Sequence, residues 1–327
     1  MDNHPISCYH LGHYFQVEGK QLQEQYKEHI SDYSGWDQRE HAEDWMLFTD
    51  NVSARLSIDE TALSNGELYT IVTNKDARGR KGAIVAMIKG TVAEEIIAVL
   101  KKIPERLRKR VQEVTMDMAA NMQLAIKRCF SNAHRVIDRF HVQKLAYDAV
   151  QEVRIKYRWE AIDMENEAIE AAKRNKMAYH PEILSNGDTL KQLLARSRYL
   201  LFKQHSKWTA VQKNRAELLF ERYPKLKMAY AISLKLGEIF RVCKSKEQAF
   251  KHLALWYNQV EECGIDSFRT VARSIQAHYL SILNFFINRS TNASAESFNA
   301  KVKAFRATSR GVRDIKFFLF RLSKIYA

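Results

Sequence analysis

The chain is poor in the residues that interrupt structure: four prolines and eleven glycines in 327 residues. No low-complexity tract or internal repeat is evident. Cysteine is scarce and scattered, at positions 8, 129, 243 and 263, with no CxxC pair. That argues against a zinc ribbon or a disulfide framework and for a reducing, cytosolic setting. No apolar run is long enough to span a bilayer, so a membrane is not expected as a partner. The opening "MDNHPISCYHLGHYF" lacks the basic and apolar blocks of a secretory signal. Acids are also in deficit, 38 Asp and Glu against 52 Lys and Arg, which leaves a net charge of +14. Such an excess favours polyanions, nucleic acid first and an anionic membrane surface second.

Hydrophobic residues make up 46% of the chain, ample for a substantial core. Residues 1–50 read as an extended start with short helices around "QLQEQYKEHI" and "REHAEDWMLF". The texture then turns to strands. "RLSIDET", "ELYTIVTNK" and "GAIVAMIKG" are alternating or β-branched and are separated by turn-rich stretches. A helix, "TVAEEIIAVLKKIP", leads to a fourth strand, "VQEVTMD"; the helix "MAANMQLAIKRCF" leads to a fifth, "HRVIDRF". The expectation is an α/β fold with a mixed five-stranded sheet in residues 51–142. Residues 143–280 show helical periodicity throughout and predict an all-helical domain. Residues 281–327 return two more helices.

Three acids stand at the ends of these elements. Asp59 closes "LSIDET", Asp117 closes "VTMD", and Glu296 opens the late helix "NASAESFNAKVKAFR". If the first and fourth strands are neighbours, Asp59 and Asp117 lie side by side at a sheet edge, where α/β folds gather ligands. A Glu on a helix packed there completes a set of hard oxygen donors suited to Mg²⁺ or Mn²⁺, as two ions about 3.5–4 Å apart. Each acid also has a plainer reading. Asp117 fits a helix cap, Asp59 a turn, and Glu296 a favourable helix start.

On the late helix, Asn292, Glu296, Asn299 and Lys303 recur at helical spacing and share a polar face, opposite Phe298, Val302 and Phe305. From Ser297 onward there are eight basic residues and a single acid, Asp314. Asn292, Asn299, Lys301, Lys303, Arg306, Arg310 and Arg313 are expected to face DNA phosphate. Trp159, Trp208 and Trp256 suit either base stacking or core packing. The cluster His4, Cys8, His10 and His13 matches no tetrahedral zinc spacing and reads as a flexible or docking start.

Taken in order, "LSIDET", "VTMDM", "VIDRFHV", "RSRYLLFKQHSKWT…YPKLKMAYAI" and "NASAESFNAKVKAFRATSRGVRDIKFFLFRL" resemble the DDE-type insertion-sequence transposases of the ISL-three group. The resemblance runs from about residue 36 to the C-terminus. It implies a ribonuclease-H-like core interrupted by a helical insertion, with Asp59, Asp117 and Glu296 as the metal-binding triad. "DRFHV" matches a further pattern of related families, which points to Asp138 and His141 beside the triad. The implied reaction is metal-dependent cleavage at transposon ends followed by strand transfer. Transposon and target DNA are the partners, acted on by a homo-oligomer in a bacterial cytoplasm, at the nucleoid. Relatives begin with a cysteine-rich zinc and helix-turn-helix region that this chain lacks, so a separate recognition protein is expected. A regulatory derivative without activity, or a nuclease without strand transfer, remains an alternative.

Overall fold

Six segments of the chain pair into one sheet, one more than the sequence predicts. The computed structural model describes residues 1–64, 66–308, 312 and 314–327, for Ser64 the backbone alone. Two compact units are present: Met1–Asp138 with Asn288–Ala327, and Arg139–Ile287 between them in sequence.

The first unit opens with α1 (Cys8–Phe15) and α2 (Gly19–Gln25). It continues through β1 (Trp45–Leu47), β2 (Arg55–Ser64), β3 (Glu67–Asn74), β4 (Ile84–Lys89), α3 (Ala93–Leu100), α4 (Glu105–Arg108), β5 (Glu113–Met116), α5 (Ala120–Cys129) and β6 (His134–Ile137). Strand order is β1-β4-β3-β2-β5-β6. The first three pairings are antiparallel, whereas β2–β5 and β5–β6 are parallel. The class is α/β with a mixed sheet, and the expected five strands are corrected to six.

The extra strand comes from "REHAEDWMLF", whose composition predicts a helix. The N–H groups of Asp44 and Trp45 instead return to the His41 carbonyl, and the His41 ring stacks on Trp45 at 3.7 Å. Trp45–Leu47 then pairs with Ile88–Ala86, and Met46 is fully buried. The outer edge of β4 would otherwise expose unpaired backbone groups, and satisfying them outweighs a weak helical preference.

Strand alternation sorts the two faces of the sheet. Leu56, Ile58, Val114 and Met116 point to α3 and α5, where Ile96, Leu100, Met122 and Ile126 complete one core. On the other face, Met46, Tyr69, Ile71 and Met87 pack under α14 (Ala293–Thr308) and α15 (Ile315–Tyr326) through Phe298, Val302, Phe305, Phe318 and Leu322. The start of the chain is not the free docking tail expected from its histidines. The buried Arg321 guanidinium on α15 donates to the carbonyls of Met1, His4 and Ile6, and Cys8 is buried.

The second unit is helical among its described residues: α6 (Arg139–Arg174), α7 (Leu190–Arg196), α8 (Ala210–Arg222), α9 (Pro224–Val242), α10 (Lys246–Cys263), α11 (Asp266–Ala277), α12 (Tyr279–Leu283) and α13 (Phe285–Asn288), the last residue of α13 belonging to the first unit. Thr189 and Thr209 start α7 and α8 with reciprocal Gln192 and Gln212 bonds. Gly237 lets α9 approach α6 so closely that a Cβ there would meet Gln143 Oε1 at 2.7 Å. Trp256 is wholly buried and donates to Ile232, and Trp208 donates to Leu200 and stacks on Tyr230. Trp159 alone of these three is exposed. No helix among the described residues is long and apolar enough to cross a membrane.

Candidate active site

Backbone register places three aspartates in one row. Ser57 pairs with Thr115, an offset of 58, and Asp59 and Asp117 differ by the same 58 residues. Met116 pairs with Ile137, an offset of 21, and Asp117 and Asp138 differ by 21. Asp59, Asp117 and Asp138 thus stand level across three neighbouring parallel chains, about 4.8 Å apart per step. Asp59 is not at a strand end as expected. β2 runs on to Ser64 beside β3, and Asp59 marks where its partner β5 stops.

α14 lies against this row. The Asn292 N–H donates to Asp138 Oδ2 at 2.6 Å, and the Asn299 amide donates to Asp59 Oδ2 at 2.8 Å. The Asn292 amide points to the Ile58 carbonyl at 3.5 Å. The Asn292 carbonyl accepts from the Glu296 N–H, so the helix begins there, with Glu296 exposed in its first turn. Asp59 also receives the Glu60 N–H, and Asp117 receives the Ala119 N–H at 2.7 Å, bracing the turn into α5. Each aspartate is therefore turned to local donors. Among the described residues no group of three or more His, Cys, Asp or Glu side chains is drawn together tightly enough to hold a metal ion.

The helix faces divide differently from the simple polar and apolar split. Asn292 and Asn299 are buried with Phe298, Val302 and Phe305, while Glu296 and Lys303 remain exposed. Lys301 donates to the Gly79 carbonyl in the β3–β4 turn at 2.8 Å, and Arg306 is half-buried. Arg310 and Arg313 lie outside the described residues. His141 lies half-exposed in the first turn of α6, in the second unit, whereas Asp138 belongs to the first.

Sequence reasoning missed a polar network beneath the acids. Ser57, Thr115 and Glu113 occupy the same alternating positions as Asp59 and Asp117, and all three are buried. The Ser57 and Thr115 hydroxyls are 2.8 Å apart; Lys75 Nζ reaches Thr115 at 3.3 Å and Glu113 at 3.4 Å. The Asn288 amide donates to Glu113 at 3.0 Å, tying the approach to α14 onto β5. Burial alone raises the Glu113 carboxyl, but hydrogen bonds from Ser290, Asn288 and Lys75 outweigh it and hold it below its ordinary range. Burial pulls the Lys75 ammonium down against the attraction of Glu113. The period-two run of polar residues in "LSID" and "EVTMD" was the available signal.

The donor set can be tested against a hard cation. Asn292 and Asn299 are 0% and 7% exposed, and the Oδ1 of each is buried without a hydrogen-bond partner. Orphaned neutral oxygens beside aspartates suit a divalent cation and its water. The residues present fit such a group.

Comparison with known proteins agrees. A transposase for insertion sequence element IS1001 from Bordetella parapertussis is 23% identical over 270 residues, 82% of this chain and 59% of that protein. The chain thus spans well under two thirds of that relative. No solved structure is matched. The model of the ISL3-type DDE transposase family matches residues 56–322. With that match over most of its length, and the three acids on the elements described, the chain belongs to the ISL3-type DDE transposase family.

Proposed function

We propose that this chain carries out metal-dependent DNA cleavage at transposon ends and transfers the freed strand into target DNA. The observation that carries the reading is the level row of Asp59, Asp117 and Asp138 at the edge of three parallel strands, with the Glu296 helix bonded to two of them. Asp59, Asp117 and Glu296 would hold two divalent cations, Mg²⁺ or Mn²⁺. Bound cations supply the charge that activates a nucleophile and stabilises the leaving oxygen of an in-line displacement. The protein's own part is positional. Asn299 and Asn292 fix the outer two aspartates to α14, and Glu113 fixes the segment entering that helix. Exposed Lys303 and half-buried Arg306 on the same helix suit DNA phosphates. The net charge of +14 gives a salt-sensitive affinity for DNA without sequence preference, consistent with a partner protein that finds the ends. The core is read as ribonuclease-H-like, with the helical unit as its insertion.

The test is a Mg²⁺-dependent cleavage and joining assay on DNA carrying the flanking inverted repeats. Wild-type chain, with its recognition partner if needed, is expected to cut and join. Asp59→Asn, Asp117→Asn and Glu296→Gln should each lose at least about a thousandfold in cleavage, on the order of 4 kcal/mol. Their DNA affinity should change by less than about threefold, because Lys and Arg supply it. Cleavage without joining would favour a nuclease, and full activity in Asp117→Asn would remove the proposed site.

A further inference from the structure

Asn299 meets Asp59 with one end of its amide and leaves the other unused. Its Nδ2 donates to Asp59 Oδ2 at 2.8 Å, while its Oδ1 is buried and partnerless in a side chain only 7% exposed. The orientation of the amide is dictated by charge: turned over, its oxygen would face a carboxylate. A buried carbonyl oxygen without a donor costs about 1–3 kcal/mol, so a residue that keeps one beside an acid needs an explanation. Asn292, one helical turn before Glu296, repeats the pattern. Its N–H holds Asp138 at 2.6 Å, and its Oδ1 is also buried and unpartnered. Two orphaned oxygens of one chemical type thus flank the exposed Glu296 on α14, each on a residue bonded to a member of the aspartate row.

We infer that these two amide oxygens accept hydrogen bonds from the water shell of a divalent cation bound at Asp59, which makes Asn299, with Asn292 beside it, a positioning residue of the metal site. This rests on the cation chemistry proposed above. An amide whose nitrogen is already spent on Asp59 does not reach the same cation with its oxygen unless that bond breaks, so the oxygen takes a bound water. Mg²⁺ keeps several of its waters when protein-bound, and those waters need acceptors. Neutral acceptors serve best here, because further carboxylates would add repulsion to a row that already holds three. The same arrangement accounts for burying Asn, and not Lys or Arg, on the sheet-facing edge of an otherwise basic helix. It also assigns Asn292 and Asn299 to the cation and leaves DNA phosphate to Lys303 and Arg306.

The test reads cation binding with no DNA present. Mn²⁺ is titrated into the full chain and followed by electron paramagnetic resonance of the free ion, with Mn²⁺-induced change in Tm as a second readout. Asn299→Leu, which removes both ends of the amide, should weaken Mn²⁺ binding about tenfold to a hundredfold, the usual cost of losing an outer-shell partner. Asn299→Asp keeps the shape. It should lower Tm without cation, by placing two carboxylates together, yet show a larger Mn²⁺-induced rise in Tm than wild type. A purely structural asparagine predicts the same Tm deficit with and without Mn²⁺. Unchanged Mn²⁺ affinity in folded Asn299→Leu, or equal Tm deficits in Asn299→Asp, overturns the inference and leaves the proposed function standing. A wild-type chain that takes up no Mn²⁺ at millimolar concentration, like Asp59→Asn, overturns the cation chemistry itself and this inference with it.

Discussion

Two buried aspartates, one in each unit, are treated in opposite ways. Asp188 in the helical unit is 1% exposed, and its two oxygens are taken by the Arg196 and Arg215 guanidinium groups, with Asn186 adding a third donor. Asp138 in the α/β unit is 2% exposed and receives a backbone N–H from Asn292, whose own side-chain oxygen is left over. The first arrangement is closed: charge is met by charge and every oxygen is used. The second sits in a row of acids with acceptors to spare. A closed ion cluster holds a fold together, while surplus hard oxygens at a sheet edge are what a cation or a phosphate-handling site requires. Burial of an acid by itself distinguishes nothing; the partners decide.

That contrast can be broken in the helical unit first. Asp188→Ala should cost about 3 kcal/mol in urea unfolding, because it strands the mostly buried Arg215 without a counter-charge. Its Mn²⁺ affinity should stay at the wild-type level. A comparable loss of metal binding would mean that the two acids are not different in kind.

A smaller effect sharpens the other side. Glu113 titrates below its ordinary range in the fold, so its contribution is fully present above the unfolded pKa of about 4.3 and is lost as pH falls through the folded value. Glu113→Gln should therefore destabilise the chain by about 1–2 kcal/mol at pH 7, and the difference from wild type should shrink steadily below pH 4. Unfolding curves at several pH values measure it. A gap that does not change with pH would show that the Lys75–Glu113 contact carries no net charge stabilisation.

The smallest change is expected at Trp159. Exposed on α6, it should tolerate Trp159→Ala within about 0.5 kcal/mol, whereas Trp256→Ala should cost about 3–5 kcal/mol because it empties a buried site. Thermal or urea unfolding separates the two directly. Equal costs would mean that Trp159 is covered in solution.

Much of the site was legible along the chain. "LSID" and "VTMD" carry strand alternation that stops on an acid, and the helix around Glu296 has a readable period. What the alternation could not convey was the continuation of β2 to Ser64, because that length is set by its antiparallel partner β3 and not by its own residues. Nor could a helical wheel sort Asn299 from Glu296. They lie about 60° apart around the axis, and which of them is buried depends on where the sheet meets the helix.

By itself, then, the sequence determined the α/β character of residues 51–142, the helical stretch that follows, the basic balance, and the identity of the acids. These are local properties, written in periodicity and charge. Only the tertiary structure decided that "WML" would be a sixth strand, that Asp59, Asp117 and Asp138 would stand level, and that Asn292 and Asn299 would turn inward against them. Each of these depends on pairing between segments far apart in the chain. The free energy of such pairing belongs to the partner surface as much as to the residues themselves.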